Sequence, residues 1–262
     1  MPEGHTIHRV ARDHQKRFAG EALSVSSPQG RFRAGARKLN DSRLERVEAY
    51  GKHLFYWWEG DQILHVHLGL YGKFRLHRAP PPQPRGAVRL RVVGADHAFD
   101  LNGPNACELI TPTKRDAMAA RLGADPLRKD ADVERAWQRI SRSRAAIGKL
   151  LLDQSVIAGV GNVYRAEALF VNKLNPEQAG NSLSRRDFDR LWSTLVEMLR
   201  IGVKYNRIIT ADPAAIGKPP SRLTRSERLL CYKKESCPRC RAAIRSWELG
   251  ARTIYACPAC QR

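Results

Sequence analysis

Two short cysteine pairs near the C-terminus constrain this chain more than any other feature. Cys237-Pro-Arg-Cys240 is followed, sixteen residues later, by Cys257-Pro-Ala-Cys260. Thiolates at that spacing can close around one tetrahedral Zn²⁺, with the intervening residues folding back as a hairpin. Paired disulfides are the alternative, and they do not suit a chain that reads as cytosolic. Four protein ligands would leave no open position for water, so a single structural zinc is expected rather than a catalytic one. The hairpin would carry Arg241, Arg245 and Arg252 on a small fixed unit suited to gripping phosphate. Cys107 and Cys231 lie outside the pattern and read as free thiols.

Charge points the same way. Lys and Arg number 46 against 26 Asp and Glu, a formal net charge of +20. Residues 201–262 alone hold 13 basic and 4 acidic side chains, a net of +9. An excess this large predicts a polyanionic partner, nucleic acid before a membrane surface. No run approaches the roughly eighteen apolar residues of a spanning helix, and the N-terminus lacks the apolar core of a signal peptide. The chain is therefore expected to be soluble and cytoplasmic, with no membrane partner.

The pattern changes twice along the chain. Ile7, Val10, Ala11 and Phe18 recur at helical spacing and predict an amphipathic helix over 4–18. From about Leu23 to Ile110, short β-rich runs (Leu54–Trp58, Ile63–Leu68, Lys73–His77, Val88–Val93) alternate with turn residues, including the proline-rich loop Pro80–Pro84. This reads as a β-sandwich or barrel with one leading helix. After Thr113 the chain turns helical. Its clearest helix starts at a Ser184 N-cap with Asp187 three residues on, and presents Phe188, Leu191, Trp192, Leu195 and Leu199 on one face. Residues 211–220, with three prolines and a glycine, read as a loop or linker. The fold class expected is α+β.

Two further motifs carry chemistry. Gly159-Val160-Gly161-Asn162 separates the apolar run Ile147–Leu152 from Tyr164–Phe170. Its glycines permit a tight turn and close backbone approach, and a helix N-terminus offers N–H groups to phosphate; a plain helix-turn-helix is the alternative. At the N-terminus, Met1-Pro2-Glu3-Gly4 permits removal of the initiator Met. That would leave a secondary amine beside a carboxylate, and amines form Schiff bases with sugar aldehydes. Proline is also compatible with the first turn of a helix.

Taken together these segments resemble the Fpg/Nei DNA glycosylases. The resemblance is carried by Pro2-Glu3-Gly4, by Gly51-Lys52-His53-Leu54, by Leu150–Gln154 leading to Gly159-Val160-Gly161-Asn162-Val163-Tyr164, and by the ending Arg252-Thr253-Ile254-Tyr255 through Cys257 and Cys260. It spans the whole chain in order, and Pro2-Glu3-Gly4 with Leu70-Tyr71 is similar to the endonuclease VIII branch, which favours oxidised pyrimidines. It implies an N-terminal catalytic β-sandwich domain over 2–114, a helix–two-turn–helix DNA-binding domain over 115–225 and a zinc finger over 226–262. It implies further that the chain acts as a monomer on damaged DNA, removing an oxidised base and cutting the strand by β- and δ-elimination.

Residue by residue, Pro2 would attack the sugar C1′ and form an iminium, with Glu3 as general acid/base. Lys52 resembles the family's hairpin lysine, which contacts phosphate and donates a proton in β-elimination. Arg252 resembles the zinc-finger arginine that grips the backbone and is assigned to the δ step. Asn162 matches a phosphate-binding asparagine; Arg121 is a further DNA contact, and Lys149 is another candidate. Leu70 and Tyr71 align with wedge residues that fill the gap left by an extruded nucleotide, although hydrophobic residues at a strand end are more often core. There are departures too. Gly69 stands where endonuclease VIII has a glutamine, Thr6 replaces a further glutamate, and the additional arginine and phenylalanine wedge of the formamidopyrimidine branch has no match around Asn102–Cys107. His65 and His67 share a strand face with no third ligand evident, so no second metal is expected. The rival reading is a zinc-ribbon protein that binds nucleic acid without catalysis. It does not require the conjunction of Pro2, Glu3 and Lys52.

Overall fold

The computed structural model describes residues 2–262. It divides into two compact units, one made of Ile7–Arg121 with the residues before Gly4, the other of Gly4–Thr6 with Leu122–Arg262. Helix α1 (Gly4–Phe18) thus contributes its first residues to the second unit and the remainder to the first. Relative to the expected boundaries, the first unit runs on to Arg121 rather than ending at 114, and the helical region and cysteine tail fall in one unit.

In the first unit, β1 (Ala22–Ser26) is followed by α2 (Arg33–Leu39) and then by β2 (Ser42–Tyr50), β3 (His53–Trp58), β4 (Gln62–His67), β5 (Lys73–Arg78), β6 (Val88–Val93), β7 (His97–Asn102), β8 (Ala106–Ile110) and helix α3 (Pro112–Arg121). The strand order is β5-β7-β6-β1-β2-β3-β4-β8. Strand β1 divides its ladder, pairing through Ala22 and Leu23 with β2 and through Ser24–Ser26 with β6. The two arms thereby fold over one another as a sandwich. Leu90, Val92, Phe99 and Leu101 of one arm share a core with Leu54, Tyr56, Leu64 and Val66 of the other, and Ile7, Ala11 and Phe18 of α1 pack into it. Period-2 alternation made these strands legible. Helix α2 corrects the expectation of a single helix in this region. It has seven residues and buries only Ala36 and Leu39, too little periodicity to read. Between β6 and β7 the register places Arg91 opposite Asp100, and the guanidinium donates to both carboxylate oxygens at 2.7 and 2.8 Å.

In the second unit come α4 (Val133–Ser141), α5 (Ile147–Leu150), α6 (Asn162–Val171), α7 (Arg185–Tyr205), the one-turn α8 (Pro213–Ile216) and the hairpin of β9 (Arg245–Glu248) and β10 (Thr253–Ala256). Helix α7 begins as expected, with the Ser184 hydroxyl accepting from the Asp187 N–H. The apolar run 147–152 is helical for only four residues. Asp153 then accepts from the Ser155 N–H at 2.8 Å, an Asx turn that redirects the chain. Among the described residues no helix is long and apolar enough to cross a membrane.

Candidate functional site

In the sheet unit, Glu3 is buried and Pro2 half-buried ahead of α1. Tyr50 pairs with His53 across the β2–β3 hairpin, so Gly51 and Lys52 form a two-residue turn, with Gly51 at φ +57°. That turn requires a left-handed residue, which glycine supplies, and it sets Lys52 at the hairpin tip. The β4–β5 turn does the same for the wedge pair. Gly69 takes φ +64°, and Leu70 and Tyr71 stand 46% and 84% exposed. Their exposure removes the core reading: large apolar side chains held in water on a tight turn are available to fill a gap in a base stack. Arg121 is exposed at the end of α3.

Beside Lys52 lies a cluster that the sequence reading missed. His53 of β3 faces His65 and His67 of β4, with His53 Nδ1 2.9 Å from His65 Nε2. His65 Nδ1 lies 3.2 Å from Glu108 of β8, and the other oxygen of Glu108 accepts from Lys114 at 3.0 Å. Burial holds all three histidines below the ordinary range, His53 at about 3, where its histidine neighbours and Lys52 add to the effect. Lys114 holds the Glu108 carboxyl low. The sequence spacing showed His65 and His67; His53 joins them only through strand pairing.

In the second unit, the glycine turn is used for close approach. The Gly4 N–H donates to the Gly159 carbonyl at 2.8 Å, and a Cβ on Gly4 would stand 2.9 Å from Gly159 Cα. Gly159 itself takes φ +91°. Gln154 holds the turn, donating to the Val160 carbonyl and accepting from the Gly159 N–H. Asn162, first residue of α6, is buried; its amide donates to the Thr253 carbonyl at 2.9 Å and accepts from Arg165 at 2.5 Å. One amide hydrogen is thus committed within the protein.

Helix α6 also carries two fully buried charges inside its apolar run. Arg165 donates to the carbonyls of Gly148 (3.1 Å), Leu249 (2.8 Å) and Arg252 (3.3 Å). Glu167 accepts from the N–H groups of Leu230, Cys231 and Tyr232 and from the Thr210 hydroxyl. Together they fasten the turn of the cysteine hairpin and the segment that precedes it to the helix. The Arg252 side chain is left exposed in the β9–β10 turn, and Lys149 is exposed against Gly250.

The sulfurs of Cys237, Cys240, Cys257 and Cys260 all lie within 4.8 Å of one another. The separations of 3.9 Å for Cys237–Cys260 and 3.5 Å for Cys240–Cys257 are far too long for a disulfide. Ligands ~2.3 Å from a tetrahedral Zn²⁺ would stand about 3.8 Å apart, so this donor set fits that ion. Cys107 and Cys231 stay outside it, both thiols pushed up by burial, Cys107 to about 12.

Comparison with known proteins covers the whole chain. The formamidopyrimidine-DNA glycosylase N-terminal domain matches residues 1–103, and the formamidopyrimidine-DNA glycosylase H2TH domain matches residues 122–213. The chain is 47% identical to endonuclease 8 1 of Mycobacterium tuberculosis over the full length of both, and 28% identical to endonuclease 8 of Pectobacterium carotovorum, again over both full lengths. Among solved structures it is similar to the Lactococcus lactis Fpg in complex with DNA containing an abasic site, with a TM-score of 0.81, 26% identity and 99% of each chain covered.

Proposed function

The chain belongs to the Fpg/Nei family of DNA glycosylases of base excision repair, on the endonuclease VIII side, and from that premise we propose that it is bifunctional, excising oxidised pyrimidines and cleaving the strand as an abasic-site lyase. What carries the reading is this full-length kinship in a chain that also retains Pro2 and Glu3. With Met1 removed, the Pro2 amine attacks C1′ of the damaged nucleotide while Glu3 manages the proton, and the base departs. The sugar ring then opens, the C1′–O4′ bond breaking as O4′ takes up a proton, and the resulting iminium acidifies the C2′ hydrogen. Loss of that proton expels the 3′ phosphate, the β step, and a second elimination expels the 5′ phosphate.

The remaining residues hold the substrate. Lys52 and Arg252, on hairpin turns of the two units, engage phosphates, Asn162 offers its second amide hydrogen to another, and Arg121 extends the contact. Leu70 and Tyr71 occupy the gap left by the extruded nucleotide. Cys237, Cys240, Cys257 and Cys260 would hold a Zn²⁺ that fixes the hairpin bearing Arg252, and four thiolates would leave it no open position for a reacting water. The enzyme acts as a monomer on DNA in the cytoplasm, where reduced thiols keep the metal site intact.

Borohydride trapping tests the assignment. The enzyme incubated with abasic-site DNA is expected to give a covalent adduct mapped to Pro2, and a form that retains Met1 should give none, since its proline nitrogen is an amide. An adduct on a lysine, with activity surviving Pro2→Gly, would overturn it. A chain that binds DNA and yields no adduct would be the non-catalytic zinc-ribbon protein. Excision of 8-oxoguanine in preference to oxidised pyrimidines would refute the substrate assignment alone.

A further inference from the structure

The cluster beside Lys52 has a direction built into it. Glu108, kept ionised by Lys114, can only accept hydrogen bonds, so His65 must donate from Nδ1. A neutral His65 then has a bare Nε2, and His53, 2.9 Å away, must donate to it from Nδ1. The consequence is a His53 ring whose remaining nitrogen, Nε2, carries no proton. Glu108 favours a proton on His65, but burial outweighs it and Lys114 opposes it; on His53, burial, His67 with its ring centroid 4.9 Å away, and Lys52 all disfavour one.

We propose that Glu108–His65–His53 is a tautomer relay, and that His53 is a positioning residue that offers Lys52 a fixed hydrogen-bond acceptor during strand cleavage. The proposal rests on the role given to Lys52 above. A lysine at a hairpin tip has long, flexible reach, and an acceptor of fixed orientation holds one ammonium hydrogen and aims the rest at the substrate. The relay also explains why two histidines and a carboxylate line up across three strands far from any need of the core. With an amide in place of Glu108 the chain can reverse. The amide NH₂ can donate to His65, His65 then donates to His53, and Nε2 of His53 acquires a hydrogen and can no longer accept one from an ammonium.

The test uses the full-length, zinc-loaded enzyme and three readouts. Two-bond ¹H–¹⁵N correlation spectra should show both His53 and His65 as Nδ1–H tautomers in the wild type, and as Nε2–H tautomers in E108Q. Single-turnover cleavage of preformed abasic DNA should slow roughly 10- to 100-fold in E108Q, and by as much in H53N, whose amide keeps the bond to His65 but lacks the far acceptor. Affinity for DNA with an uncleavable tetrahydrofuran site should stay within about twofold, as expected when orientation rather than charge is lost. Glu108 is partly exposed, so E108Q keeps the test alive if H53N does not fold. An Nε2–H tautomer of His53 in the wild type, or cleavage unchanged in folded E108Q and H53N, overturns the relay. A wild type that cleaves no abasic DNA would instead overturn the lyase reading on which it stands.

Discussion

The two units bury arginine in different ways. In the sheet unit, Arg91 meets Asp100 directly across the ladder, with His77 on the same carboxylate, and the strands already hold all three in place. In the helical unit, Arg165 is received by carbonyls of two separate segments, Gly148 and the β9–β10 turn, and Glu167, two residues on, by N–H groups of a third. The first pair reinforces what the backbone fixes. The second supplies order to loops that no ladder joins to the helix, so the same chemistry matters more there. Burial acts alike on histidine in both units: it holds His14, His53, His65 and His67 low in the sheet unit and His5, at about 4, in the helical unit.

The largest separation of the two should come from the metal. Zinc in small thiolate sites contributes on the order of 10 kcal/mol to folding. Chelation should therefore abolish hydrogen-exchange protection over residues 237–260 and weaken DNA binding, while strands β3, β4 and β7 keep theirs. Full affinity in the zinc-free protein would mean that the hairpin is not a DNA grip.

Arg165→Met comes next. It leaves the buried carbonyls of Gly148 and Leu249 and the amide oxygen of Asn162 without the guanidinium, and removing one side of a buried charged network costs about 3–5 kcal/mol. Denaturant unfolding should show that loss, with zinc released at lower denaturant than in the wild type. Unchanged zinc retention would show that the hairpin is held by the thiolates alone.

Acid should act on the sheet unit. His14 is buried, its Nδ1 2.8 Å from the Tyr56 hydroxyl and its ring stacked on Phe99, and burial lowers it from 6.5 to about 3. The folded state thus favours neutral His14. Its contribution is complete above pH 6.5 and is lost as pH falls from there toward 3, at about 1.4 kcal/mol per pH unit. Stability measured from pH 7 to 5 should fall, and His14→Phe should remove about one proton from the slope. An unaltered slope would place the acid sensitivity in the other lowered histidines, His5 and the His53–His65–His67 cluster.

The smallest effect should come from replacing Arg91 and Asp100 together by Met and Leu. Buried ion pairs exchanged for apolar residues of similar volume are often close to neutral, so a change within about 1 kcal/mol is expected by thermal unfolding. No such exchange is open to Arg165, because its partners are backbone carbonyls that substitution does not delete. A large loss in the Arg91/Asp100 double variant would erase the contrast between the units.

Much of this was legible beforehand, and particular residues show where legibility stops. Helix α7 was announced by Ser184, Asp187 and a repeating apolar face, since capping and periodicity are local. The cysteine cluster was announced by spacing alone. Leu70 and Tyr71 were ambiguous because hydrophobicity does not reveal whether a turn faces water, and exposure decided it. Helix α2 was too short to show a period. Arg165 and Glu167 were visible as charges interrupting the run Tyr164–Phe170, a signal that such residues are either paired or misplaced, but their partners outside α6 lie 17 to 87 residues away.

The sequence by itself determined the elements whose causes lie within a few residues: the alternating strands, the capped helix, the glycine turns and a thiolate set that can meet around one ion. It also carried the family, because the residues that do the chemistry recur in recognisable local strings. Only the tertiary structure decided which distant groups complete one another. His53 joins His65 and Glu108 through the register of three strands, and Arg165 finds its carbonyls through the packing of α6 against the hairpin. Both follow from the same physical fact. A buried polar group must be satisfied by whatever the fold brings near, and along the chain that partner can be almost anywhere.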